Sequence, residues 1–147
     1  MRVSLTRCRR KNSRAGNSGV RLLLDTHALI WWISGESPLT NRARLAIADE
    51  GNEIFVSAAS TWEIATKFRL GKLPSVARIA ADLGGAISGQ GFSPLAVTVR
   101  HGQAAGALPG PHQDPFDRML IAQAMLDNLV LVSNETLFDI YGVARLW

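Results

Sequence analysis

The sequence predicts a single three-layer α/β/α domain, with helices on both faces of a mostly parallel sheet of four to five strands. Short apolar runs alternate with longer stretches of helical spacing, the pattern of successive βα units. Two runs, Leu22-Leu23-Leu24 and Leu129-Val130-Leu131-Val132, contain no polar residue, as strands buried on both faces require. A chain of 147 residues suffices for one domain with one core.

The elements follow in order. Val20–Leu24 is the first strand, and Thr26–Ser34 reads as a helix ending near Gly35. Asn41–Asp49 is a second helix, broken from the strand Glu53–Ser57 by Gly51-Asn52. Ser60–Leu70 is a third helix, with Gly71 as its stop and Pro74 soon after. Val76–Ser88 is a weaker helix because it contains Gly84-Gly85. Ser93–Val97 is a short strand despite Pro94, and Val99–Leu108 a short helix ended by Pro109-Gly110-Pro111. Pro115–Asn128 is the clearest helix, its broad apolar face formed by Phe116, Met119, Leu120, Ala122, Gln123, Met125 and Leu126. Leu129–Ser133 is the fourth strand, followed by a helical turn at Thr136–Ile140 and a final strand at Ala144–Leu146.

The net charge of +4 misdescribes this body. Residues 1–19 carry Arg2, Arg7, Arg9, Arg10, Lys11 and Arg14 and no acid. Without those six, the 16 basic residues fall to 10 against 12 acidic ones, a net charge of −2. The tail has no apolar core of a secretory signal. It is expected to be a basic, disordered extension or a start mis-assigned upstream of Val20, with a nucleic-acid-contacting arm as the alternative; the domain proper is 20–147. Cys8 is the only cysteine, so no intrachain disulfide or cysteine zinc site forms. That suggests a reducing, cytoplasmic setting. No apolar run approaches the ~18 residues of a membrane span.

Acids recur where strands pass into helices: Asp25, Glu63, Asp117 and Glu135, with Asp114 beside the third. Each has a capping reading. Asp25 suits a helix N-cap, and Ser60-Thr61-Trp62-Glu63 matches a capping box. Asp114-Pro115-Phe116-Asp117 matches an N-cap, a proline at the first position and an acid in the first turn. Glu135 suits the positive end of the short helix after it. Ligands of parallel sheets bind beyond the strands' carboxyl ends. Carboxylates gathered there repel one another and call for a hard divalent cation. Capping does not require convergence; metal binding does. Among the other candidates, His112 is expected to be a surface-loop histidine, with polarising a group beside Asp114 as the alternative, and His27 to pack or bond locally. Trp31 and Trp32 must point to different sides of one helix, one to the core and the other to a partner or to ordinary packing. No phosphate-binding loop, dinucleotide fingerprint or nucleophile elbow occurs.

The segment Leu23-Leu24-Asp25-Thr26-His27-Ala28-Leu29-Ile30-Trp31 resembles the opening of a PIN-domain ribonuclease. Ser57–Lys67 with Leu70-Gly71-Lys72-Leu73 is similar to the second block of the VapC-like branch. His112–Ala124 and Leu131–Glu135 resemble the third and fourth blocks, and Tyr141-Gly142-Val143 with Leu146-Trp147 the ending. Four blocks in order cover Val20–Trp147; the tail has no counterpart. The resemblance implies a Mg²⁺- or Mn²⁺-dependent endoribonuclease, the toxin of a type II toxin–antitoxin pair. Its partners would be RNA and a small VapB-like antitoxin, with the chain itself a homodimer.

On this resemblance Asp25, Glu63 and Asp117 form the acidic core. Glu135 and Asp114 are auxiliary ligands, with Asn134 or Asp139 competing for the fourth place. Thr26 and Ser133 would orient the carboxylates. Lys67, Arg69, Lys72 and Arg118 are candidate RNA contacts, though at least half are expected to be ordinary solvated positions. The rival readings are a PIN nuclease of RNA maturation or decay without an antitoxin, and a non-catalytic RNA- or protein-binding PIN module. A receiver-like phosphoacceptor domain is disfavoured because Leu24-Asp25-Thr26 lacks its paired acids.

Overall fold

A computed structural model describes residues 19–147; the expectations about the basic tail fall on residues outside the described ones, apart from Gly19. Five parallel strands form one sheet: β1 (Arg21–Leu24), β2 (Glu53–Ser57), β3 (Ser93–Leu95), β4 (Val130–Val132) and β5 (Arg145–Leu146). Their spatial order is β3-β2-β1-β4-β5. The chain builds outward from β1 to β3, then returns past β1 to lay down β4 and β5. The order therefore reverses between β1 and β4, and the crevice above that switch point is where parallel sheets bind ligands.

Side-chain alternation along β1 divides the interior. Leu22 and Leu24 face one cluster with Ile54, Val56, Val132, Leu29, Ile47 and Ile64. Leu23 faces the other, with Leu120, Ile121, Leu131 and Phe138. All three leucines are fully buried, which is why the strand after its exposed first residue, Arg21, contains no polar residue. Helices α1 (Thr26–Ser34), α2 (Asn41–Ala48) and α3 (Ala58–Arg69) supply residues to the first cluster. Helix α6 (Pro115–Asp127) supplies the second. Two short helices, α4 (Leu83–Gly89) and α5 (Val99–Ala107), flank β3.

Two expectations require correction. Helix α3 begins at Ala58, with Ser57 as its N-cap accepting from Ala59 N. Ser60 therefore lies inside the helix, and the capping box read over Ser60–Glu63 does not form. The weak helix expected over Val76–Ser88 is absent. A 3₁₀ turn spans Pro74–Val76, and α4 starts only after Asp82, whose carboxylate accepts from Gly85 N. A Cβ at Gly85 would lie 2.2 Å from Asp82 Oδ2, so the glycine is what allows that cap to close. Among the described residues no helix is long and apolar enough to cross a membrane.

Candidate active site

Asp25 leaves β1 at the switch point, where its backbone N–H donates to Val132 O of β4 at 3.0 Å. Its side chain caps α1, Oδ1 accepting from Ala28 N at 2.7 Å. Only 5% of the residue is exposed. Burial pushes the Asp25 carboxyl up to about 6; the Ser133 and Ala28 hydrogen bonds and the nearby His27 oppose the rise, and the charge of Asp117 adds to it.

Asp117 sits in the first turn of α6, behind its N-cap Asp114 and Pro115. Asp114 Oδ1 accepts from the backbone N–H groups of Phe116 and Asp117. Burial raises the pKa of Asp117, and the charges of Asp114 and Glu63 act in the same direction. Its hydrogen bond with His112 and the His112 charge act against them. Asp25, Asp117 and Glu135 line one open cleft of about 300 Å³ with His27, Trp31, Asn134 and Phe138. Glu135 caps the 3₁₀ turn Thr136–Tyr141, accepting from Leu137 N at 3.0 Å.

Glu63 projects from α3 and is 3% exposed. Its Oε2 is paired with Lys67 Nζ one helical turn on. Its Oε1 is buried without a hydrogen-bond partner. An uncompensated buried carboxylate oxygen is costly, and Glu63 lies near enough for its charge to act on Asp117. Among the described residues, no three acids or histidines close into a ready-made metal cage. The donor chemistry nonetheless suits a hard divalent ion: buried carboxylates that disfavour their own charge, and one oxygen lacking a partner.

Several expected residues fall elsewhere. Thr26 donates to Ser60 Oγ at 3.1 Å, tying α1 to α3 instead of orienting a carboxylate. Ser133 lies beside two of the acids: its Oγ accepts from the Glu135 backbone N–H at 3.0 Å, and it acts to lower the pKa of the Asp25 carboxyl. Arg118 is not a free rim cation. Its guanidinium donates to the carbonyls of Ala105, His112 and Leu108. Arg69 and Lys72 are exposed, while Lys67 is held by Glu63. Asp139 is spent on Arg145, with contacts of 2.8 and 3.0 Å; Asn134 lines the cleft.

His112 departs most from expectation. It is no free loop residue: Nε2 lies 2.8 Å from Asp117 Oδ2. The cleft also takes in His27, stacked at 5.4 Å on Trp31 one turn away. Trp31 in turn meets Trp147, while Trp32 bonds Gln90 and packs on Phe92. Sequence spacing hinted at the first pair, since residues four apart share a helix face. Nothing in the sequence indicated that His112 would reach Asp117.

The profile of the family described as "PIN domain" matches residues 22–143. The chain belongs to the PIN-domain family. A 61-residue stretch is 43% identical to "Ribonuclease VapC16" of Mycobacterium tuberculosis, covering 42% of this chain and 43% of that protein. The match thus spans less than half the length of that curated relative. The PIN fold here is similar to a chain in the crystal structure of VapBC2 from Rickettsia felis bound to a DNA fragment from their promoter. The TM-score is 0.63 at 15% identity, over 86% of this chain and 98% of that one; the likeness is one of fold.

Proposed function

We propose that this PIN domain is a divalent-metal-dependent endoribonuclease that hydrolyses RNA phosphodiester bonds and acts as the toxin of a toxin–antitoxin pair. The observation that carries the reading is the gathering of Asp25, Asp117 and Glu135 in one cleft at the switch point, with the unpartnered Glu63 oxygen near Asp117. Asp25, Glu63 and Asp117 are the principal metal-binding and catalytic carboxylates, and Glu135 and Asp114 the auxiliary ones. Those carboxylates would hold Mg²⁺ or Mn²⁺, which would supply Lewis acidity, lowering the pKa of a water and offsetting negative charge on the phosphate.

The protein's own groups do the positioning. The Ala28 N–H holds Asp25 on its cap, and the start of α6 holds Asp117. Exposed Arg69 and Lys72 offer phosphate contacts away from the acids. The domain is 20–147, and the basic segment before it is dispensable for the fold. The relative's name supports the ribonuclease reading, and the name of the VapBC2 structure supports an antitoxin partner; a cytoplasmic setting is part of the same proposal. The chain itself is proposed to pair as a homodimer. An apolar groove lined by Ala58, Ala59, Trp62, Val97, Phe116 and Met119 gives a protein partner area to bury.

The test is RNA cleavage by the purified chain with and without Mg²⁺, for wild type and for Asp25→Asn, Glu63→Gln and Asp117→Asn. Cleavage that needs the cation and is lost in each folded variant is expected. Cleavage that survives EDTA, or persists in all three variants, would sink the reading. Co-purification with a small protein encoded beside the gene tests the antitoxin, and light scattering tests the dimer.

A further inference from the structure

We infer that His112 is a positioning residue for the metal-binding carboxylate of Asp117: its imidazole N–H holds one carboxylate oxygen and leaves the other to the cation. This rests on the proposal that Asp117 is a metal ligand, and deepens it.

The geometry of the contact is direct. His112 Nε2 lies 2.8 Å from Asp117 Oδ2, and the imidazole side chain is 13% exposed. An ionised carboxylate only accepts hydrogen bonds, so Nε2 carries the hydrogen. Among the described residues, Asp117 Oδ1 accepts no hydrogen bond. The terminal torsion of an aspartate is broad and roughly two-fold. Close to the charges of Asp114 and Glu63, Asp117 would otherwise turn freely, and one fixed donor selects which oxygen faces the cleft.

The histidine is itself pinned on every side. Its backbone N–H donates to the Tyr141 hydroxyl at 3.1 Å, and its carbonyl accepts from Arg118 Nη1 at 2.8 Å. Its ring meets Phe138 edge-on, with centroids 5.8 Å apart and planes at 75°. Tyr141 reaches this loop because Gly110 has no side chain. A Cβ there would stand 2.9 Å from the Tyr141 oxygen, and the backbone φ of +100° suits glycine.

Arg118 completes the device. Its other nitrogens hold the Ala105 and Leu108 carbonyls, lashing the segment that carries His112 to α6. Asp117 precedes Arg118 on that helix. Donor and carboxylate are thus referenced to the same rigid element, the condition for holding a ligand in one orientation. A loop histidine that only filled space would not need both backbone groups and its ring nitrogen engaged.

The test is Mn²⁺ binding to the full chain without RNA, by calorimetry at about pH 7.5, alongside thermal melts in EDTA. The variants are His112→Ala, His112→Phe and His112→Gln. Phenylalanine keeps a ring against Phe138 but removes the donor, and glutamine keeps a donor without the ring. Loss of an outer partner of a metal ligand typically weakens affinity by roughly 10–100-fold. That loss is expected for Ala and Phe, with Gln restoring most of it. A purely structural role predicts the reverse: lowered melting in EDTA and unchanged Mn²⁺ affinity. Unchanged affinity in Phe or Ala overturns the inference; if Ala does not fold, Phe against Gln decides it. Wild type that binds Mn²⁺ while the variants match it removes only the role of His112. Wild type that takes up no Mn²⁺ removes the metal site and this role together.

Discussion

Asp25→Asn should stabilise the metal-free protein at neutral pH while abolishing its response to divalent cations. The substitution keeps the shape of the side chain and its capping oxygen, since asparagine caps helices about as well as aspartate. What it removes is a charge that burial disfavours. The rise in pKa from 3.8 to about 6, at about 1.4 kcal/mol per pK unit, corresponds to roughly 3 kcal/mol as an upper value.

The sign follows from proton linkage. Below about pH 3.8 the carboxyl is protonated whether the chain is folded or not, and its favourable contribution is intact. As pH rises toward 6 the unfolded chain releases this proton first, so stability falls; above 6 the full cost is present. Asparagine has no such dependence. Urea unfolding in EDTA at about pH 4.5 and 7.5 should therefore show the variant gaining on wild type as pH rises, by roughly 2 kcal/mol, because about a third of the cost is already present at the lower pH. Adding Mn²⁺ at about 100 times its dissociation constant should return roughly 2.7 kcal/mol to wild type and much less to the variant. Identical pH dependence in the two proteins, or a variant less stable at pH 7.5, would refute the claim that buried charge is stored at Asp25.

Three further outcomes follow from other contacts. Lys67→Met should leave Glu63 buried with neither oxygen paired, lowering metal-free stability by roughly 1–3 kcal/mol; Mn²⁺ should recover the loss, and a melt that Mn²⁺ leaves unchanged would count against Glu63 as a ligand. Arg118→Met should cost roughly 2–4 kcal/mol by orphaning three backbone carbonyls, measured by urea unfolding, whereas Arg69→Met and Lys72→Met should leave stability within about 0.5 kcal/mol and weaken RNA binding. Phe138→Ala should cost roughly 3–5 kcal/mol in the same assay, because Phe138 is fully buried in the second core cluster.

How far the site was legible in advance depended on distance along the chain. Asp25, Asp114 and Glu135 were readable as caps because a cap is a contact within three residues, and each does cap its helix. Capping does not keep an acid from the cleft: Asp25 and Glu135 cap their helices and also line it, with Asp117. Glu63 was misread locally. The true cap of α3 is Ser57, and tertiary packing buries Ser60 against Thr26. Arg118 looked like a rim cation because the sequence shows a charge but not the carbonyls that claim it.

By itself the sequence determined the order of the elements, the parallel sheet and the ends at which the acids sit. Hydrophobic period and cap chemistry are local properties, written within a few residues of where they act. Only the tertiary structure decided which acids share a cleft, which oxygen of Glu63 lacks a partner and which histidine holds Asp117. The reason lies in the crossover: β4 returns to the side of β1 after more than a hundred residues. No spacing along a chain specifies side-chain contacts across such a return; they follow once both faces of the sheet are buried and the strand order is settled.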